Sequence, residues 1–106
     1  MATISYALND LTEVTFEWDS DKDDAVYTKH GVRFTEAATV FLDVNALMMS
    51  DPDHSEQEDR FLQLGYSTRA NLLIVSYCVR YSDTVIRLIS ARKATKKEAM
   101  TYHKRC

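Results

Sequence analysis

Cysteine is scarce in this chain of 106 residues: Cys78 sits in an apolar run and Cys106 is terminal. Two cysteines so placed exclude a disulfide framework, and Cys78 reads as a small core residue of a reduced protein. Proline occurs once and glycine twice, while 45% of the residues are hydrophobic and 27% charged. That balance excludes a chain disordered along its length. The opening "MATISYALNDLTEV" has no basic stretch followed by a long apolar run, so it does not read as a signal peptide. No apolar run approaches the ~20 residues of a spanning helix. A cytoplasmic protein with no membrane partner is expected. No GxxxxGK[ST] or GxGxxG run is present, so nucleotide-cofactor folds have no support. The three histidines, His30, His54 and His103, lack HExxH spacing and there is no paired-cysteine motif. Asp51, Asp53, His54 and Glu58 read as a capped polar loop before they read as an oxygen-rich metal site. Neither a metal nor a cofactor is expected.

The length fits one domain with one modest core. The formal charge is -3, and its distribution says more than its sum. Residues 1–59 hold fourteen acids against three bases, and residues 60–106 hold ten bases against two acids. Six of the thirteen Lys and Arg residues fall in the closing "SARKATKKEAMTYHKRC". Such asymmetry can set up fields of opposite sign on one small body, the basic half facing a polyanion. The alternative is a fold that interleaves the two halves.

Local signals place most elements. "TEVTFEW" from Thr12 to Trp18 is β-branched and aromatic, and reads as a strand. Residues 1–11 read as an N-terminal extension, with "ISYAL" able to add a short edge strand; residues 12–106 form the single domain. A helix is predicted over about 20–30. Asp19 or Ser20 caps it, acids fill its first turn, Lys29 and His30 its last, and Gly31 stops it. Phe34, Ala37, Ala38, Phe41 and Leu42 fall at helical spacing and predict a second short helix. "ALMMSD" reads as a strand and "DPDHSEQED" as a polar connection. "RFLQLGYS", "NLLIVSYCVR" and "DTVIRLISA" then read as an antiparallel meander, with Gly65 marking a bend or bulge. Thr95 and Glu98 match a capping box that opens the last helix. The class is α+β: an antiparallel sheet of about four to five strands, two N-terminal helices and a C-terminal helix.

Chemistry on a polyanion is the reading the basic half invites. Arg80 and Arg87 lie on strands, Arg69 and Arg92 beside turns, and Lys93, Lys96, Lys97, Lys104 and Arg105 continue into the last helix. Neighbouring strands bring side chains to one face, and arginine forks suit phosphate. Tyr66, Tyr77, Tyr81 and Tyr102 are available to stack on unpaired bases. RNA cleavage by attack of the 2′-hydroxyl needs a proton acceptor, a proton donor and cations against developing charge, but no metal. His30, His54, Lys29 and Glu58 are candidates for proton transfer, and Arg60, Arg80 and Arg92 for the phosphate. Each has a plainer role: His30 can cap helix carbonyls, and His54 can be a loop residue.

At these residues the sequence resembles the BrnT-type ribonuclease toxins of bacterial type II toxin–antitoxin pairs. The resemblance runs through "FEWD" with Lys22, "KHGV", "FTEAATVFLD", "DPDHSEQEDRFLQLGYS" and "IRLISARKATKKEAMTY", in family order over roughly residues 14–103. It implies a RelE-like fold, ribonuclease activity that inhibits translation, and a BrnA-type ribbon–helix–helix antitoxin. Operator DNA would be met only through that antitoxin. Carried over by position, the family's recurring polar residues fall on Trp18, Lys22, Lys29, His30, Asp53, His54, Glu58, Arg60, Arg80, Arg87, Ser90, Arg92 and Glu98. The catalytic expectation is Arg60, Arg80, Arg92, His30, Lys29 and Glu58, with Arg87, Lys22, Lys93, Lys96, Lys97 and His54 binding RNA. The family usually has Asn at Val26 and a helix-capping Ser at Arg33, so this chain departs from it there.

Three functions therefore stand: a metal-independent endoribonuclease toxin, a toxin-fold corepressor that binds the antitoxin, and an RNA binder that does not cleave. The first expects the arginines to converge in a groove. The second expects them to scatter or to pair with local acids.

Overall fold

The computed structural model of the chain describes residues 1–7, 13–51, 60–80 and 84–104. Six strands form one sheet: β1 (Ala2–Ala7), β2 (Glu13–Trp18), β3 (Leu47–Ser50), β4 (Arg60–Tyr66), β5 (Leu72–Arg80) and β6 (Val85–Lys93). Their order is β1-β2-β6-β5-β4-β3. Three helices complete the fold: α1 (Ser20–His30), α2 (Phe34–Ala38), which runs into a 3-10 turn at Thr39–Leu42, and α3 (Lys96–Lys104). The α+β class and the three helices agree with expectation. The sheet is larger and mixed, for two reasons. Ala2–Ala7 pairs along its whole length with β2, and β2 runs parallel to β6. The β4–β5–β6 meander is antiparallel.

Residue chemistry sets the helix ends. Asp19 Oδ1 accepts the backbone N–H groups of Asp21 at 2.8 Å and Lys22 at 3.3 Å, so Asp19 is the cap of α1. Gly31 ends α1 at φ 72°, its N–H donating to the Tyr27 carbonyl at 2.8 Å. Arg33 stands where a capping Ser is expected and caps nothing with its side chain. Asp23 takes that role from α1: its Oδ1 accepts the Phe34 N–H at 2.9 Å. Arg33 instead pairs with Asp24 at 2.7 Å and lies over the Tyr27 ring, 4.1 Å from its centroid. The hydrogen bond to Asp24 is the largest influence raising the Arg33 pKa.

The main core lies between α1, α2 and one sheet face. Phe16, Phe34, Leu73, Leu88, Val40 and Val75 are fully buried there. Aromatic rings run across it, Phe16 to Phe41 at 5.1 Å and Phe41 to Tyr77 at 4.9 Å between centroids. Burial pushes the Tyr77 phenol up to about 12. Tyr77 thus belongs to the core and offers no stacking surface, as its inward position on β5 dictates.

Gly65 marks neither bend nor bulge. The irregularity in the meander lies between Ser76 and Tyr77 of β5, where Ser76 faces Ser90 but Tyr77 faces Leu88, leaving Ile89 of β6 as the extra residue. Gly65 is instead a place of close approach: a Cβ there would stand 2.9 Å from Ala46 Cβ and 3.0 Å from Val40 Cγ1. The segment after the 3-10 turn therefore packs directly on the β4 backbone.

Candidate functional site

The second sheet face divides into two halves. One is a small apolar cluster of Leu64, Ile74 and Tyr102, with Leu47, Met49, Leu62, Tyr66, Leu72 and Ala94 packed around it. α3 supplies Tyr102 and covers it. The other half is polar, and the strand register shows why. Residues facing each other across strands share a face, and alternate residues of one strand return to it. Glu17 is paired with Arg87, Arg87 with Cys78, and Cys78 with Arg60, so these four form one row across β2, β6, β5 and β4. Asp51 continues the row, its N–H donating to the Arg60 carbonyl at 3.0 Å. Arg80 lies two residues from Cys78 on the same face. Arg92, paired with Ile74, lies on that face nearer α3. Thr3, Ser5, Thr15, Ser76 and Ser90 share this face, together with Glu13 and Val85. Ser5 and Thr15 share a hydrogen bond of 2.9 Å.

Four of the expected arginines, Arg60, Arg80, Arg87 and Arg92, thus share one sheet face. Strand spacing sets the Cα atoms of Arg60 and Arg87 about 10 Å apart, with Cys78 between them. Arg87 and Arg92 each meet an acidic side chain. Arg87 Nη1 lies 3.5 Å from Glu17 Oε1 and 3.2 Å from Met1 Sδ. Arg92 grips Glu98 with both guanidinium nitrogens, at 2.8 and 2.9 Å. Glu98 Oε1 also accepts the Thr95 N–H at 2.8 Å, and the Glu98 N–H donates to Thr95 Oγ1 at 3.2 Å. The expected capping box is present, with Arg92 added to it. The Arg92 hydrogen bonds lead the causes that hold the Glu98 carboxyl down at about 2. The same bonds raise the Arg92 pKa.

Of the remaining expected residues, those of α1 stand apart from this face. Lys22, Lys29 and His30 lie on α1, which packs on the opposite side of the sheet through Val26. Lys93, paired with Leu73, points to the helix-covered side. Lys96 and Lys97 are exposed on the first turn of α3. His54, Glu58 and Asp53 lie outside the described residues, as does Tyr81. Among the stacking candidates that are described, Tyr66 is half-buried and Tyr102 is buried. The Tyr66 hydroxyl meets His103 Nε2 at 2.8 Å, and Tyr102 donates to Asp43 Oδ2 at 2.7 Å. Glu17 and Asp43 received no role from the sequence. The alternation of "EVTFEW" places Glu17 opposite buried Phe16 and Trp18, but only the β2–β6 register sets it beside Arg87.

Among the described residues no group of three or more His, Cys, Asp or Glu side chains is arranged to hold a metal ion. No described helix is long and apolar enough to cross a membrane.

Comparison with known proteins adds two findings. A family model described as the ribonuclease toxin BrnT of type II toxin–antitoxin systems matches residues 18–98. Among solved structures, the fold is similar to that of the Brucella abortus ribonuclease toxin BrnT, determined at 1.1 Å. That similarity has a TM-score of 0.59 and 19% identity, over 76% of this chain and 96% of that one. No curated protein matches the chain.

Proposed function

We propose, from the premise that the chain belongs to the BrnT family of type II toxin–antitoxin ribonuclease toxins, that it is a cytoplasmic endoribonuclease. In this reading it cuts RNA without a metal and thereby inhibits translation. A BrnA-type ribbon–helix–helix antitoxin neutralises it, and operator DNA is met only through that partner. One observation carries the reading: Arg60, Arg80 and Arg87 share the polar half of a sheet face that no described helix covers. Arginine forks that close together suit one phosphodiester, and their fixed charge opposes the charge that grows on phosphorus oxygens during 2′-hydroxyl attack. Arg92 acts differently, because Glu98 occupies its fork. It holds α3 in place at the border of the site.

Cleavage of a defined RNA by the purified protein in EDTA tests this reading. Arg60→Ala and Arg80→Ala, each checked for folding by circular dichroism, are expected to lose cleavage by 100-fold or more, on the order of one lost transition-state donor. A folded parent protein that leaves RNA intact would sink it. The pairing of Arg87 with Glu17 and of Arg92 with Glu98 favours a second reading, a toxin-fold corepressor that binds the antitoxin without cleaving. Inert parent protein that still binds the antitoxin and tightens its hold on operator DNA would select that one.

A further inference from the structure

Glu17 is the carboxylate the sequence overlooked. It lies on β2, one strand in from the β1 edge of the sheet and on the polar face, in direct register with Arg87 across the parallel β2–β6 pair. Its side chain is 14% exposed and that of Arg87 22%. The contact between them is long and single: Oε1 meets Arg87 Nη1 at 3.5 Å, and Oε2 has no other partner among the described residues. A structural ion pair on a sheet usually closes with shorter, doubled bonds, as Arg92 and Glu98 do here. Glu17 therefore keeps an acceptor oxygen to offer beside a phosphate-binding arginine.

The other carboxylates described on this face are less suited. Glu98 is committed on both oxygens to Arg92 and the Thr95 N–H. Asp51 is 8% exposed at the far end of the row. Glu13 opposes Ala7 at the start of β2, four residues along the strand from Glu17. No histidine is described on the polar half. Lys29 and His30 are separated from it by the sheet.

We propose that Glu17 is the proton acceptor for RNA cleavage on this face, with Arg87 holding both the Glu17 carboxylate and the scissile phosphate. The proposal rests on the ribonuclease reading above. The 2′-oxygen bonds to phosphorus while the bond from phosphorus to the 5′-oxygen breaks. The 2′ proton passes to Glu17, and the leaving 5′-oxygen takes a proton from water. The products are a 2′,3′-cyclic phosphate and a 5′-hydroxyl. Glu17 then returns its proton to solvent.

The test measures cleavage and binding separately. Cleavage is followed on a defined RNA, and binding on the same RNA with 2′-deoxyribose at the cut position. Glu17→Gln keeps the shape of the side chain and a carbonyl oxygen to accept from Arg87. It is expected to bind the deoxy-substituted RNA within about threefold of the parent and to cleave 100-fold or more slowly, the usual scale of general-base loss. Glu17→Ala is expected to regain part of its rate in formate, a small carboxylate that can enter the vacated space. A positioning role alone would give no such rescue. Glu17→Gln cleaving within threefold of the parent overturns the proposal, as does a loss of binding equal to the loss of cleavage, or a Glu17→Ala rate that formate leaves unchanged. A folded parent protein that cleaves nothing overturns the ribonuclease reading itself, and this assignment with it.

Discussion

Arg92 and Glu98 lie six residues apart in sequence and are joined by two parallel hydrogen bonds of 2.8 and 2.9 Å, which pin the first turn of α3 to strand β6. The pair makes a pH prediction whose direction follows from the carboxylate. Glu98 is held down from its ordinary 4.5 to about 2, chiefly by the Arg92 hydrogen bonds. A depressed carboxylate adds stability above its unfolded pKa and loses it as pH falls through the folded one. The full linkage value of the shift is about 3 kcal/mol. Arg92 is 40% exposed and Glu98 27%, however, so solvent screening reduces the expected effect to about 1 kcal/mol. Urea unfolding of the parent and Glu98→Gln should differ by that amount at pH 5 to 7, and the two should converge as pH approaches 2. A gap that stays constant down to pH 2 would show that the charge of Glu98 contributes nothing.

Asp43 makes the second structural tie. Its Oδ2 accepts the Tyr66 N–H at 2.9 Å and the Tyr102 hydroxyl at 2.7 Å, so one carboxylate joins the segment after the 3-10 turn to β4 and α3. Tyr102→Phe removes one donor and keeps the ring against Tyr66. A loss of about 1–2 kcal/mol in urea unfolding is expected, the range for a bond to a charged acceptor. Asp43→Ala should cost more, because it orphans the Tyr66 N–H as well. Equal stability of Tyr102→Phe and the parent would mean that water replaces the hydroxyl at no cost.

Local chemistry was legible and long-range pairing was not. Asp19, Gly31 and the Thr95–Glu98 box each act within four residues, so spacing alone located the ends of α1 and the start of α3. Alternation located the strands of the meander. The parallel pairing of β2 with β6 joins residues about seventy positions apart, and no local pattern records it. The same limit hid the partner of Glu17 and placed Lys29 and His30 with arginines that lie beyond the sheet. The shared face of Arg60, Arg80, Arg87 and Arg92 was only half legible: strand identity was readable, but register was not. Arg33 shows the same limit at short range. Its lost capping role passed to Asp23, ten residues earlier, which only the turn at Gly31 brings near.

Gly65 is required by its neighbours. A methyl group there would meet Ala46 Cβ at 2.9 Å, Val40 Cγ1 at 3.0 Å and Asp43 Oδ2 at 3.1 Å, and the site is buried. Gly65→Ala must push the 43–46 segment away from β4, straining the Asp43 bonds to Tyr66 and Tyr102. A loss of about 1–3 kcal/mol is expected in urea unfolding, the usual range for overpacking. An unchanged midpoint would show that this segment gives way freely.

The salt dependence of RNA binding separates the two sides of the sheet. Each cation that neutralises a phosphate of single-stranded RNA contributes about -0.7 to the slope of log K against log salt. Arg80 is exposed at the end of β5 on the polar face, whereas Lys22 and Lys29 are exposed on α1 behind the sheet. Binding to an RNA with 2′-deoxyribose at the cut position isolates this term from cleavage. Arg80→Ala should weaken binding and flatten the slope by about 0.7. Lys22→Ala and Lys29→Ala should leave the slope as it is in the parent. If the lysine variants flatten it and Arg80→Ala does not, RNA runs over α1 and the polar sheet face is not its track. The acidic first half of the chain sharpens this contrast. Asp21, Asp23 and Asp24 share α1 with those lysines, so a polyanion approaching that side meets at least as much negative charge as positive. On the sheet face the register concentrates Arg60, Arg80, Arg87 and Arg92, and a slope flattened by Arg80→Ala would show that they attract phosphate there.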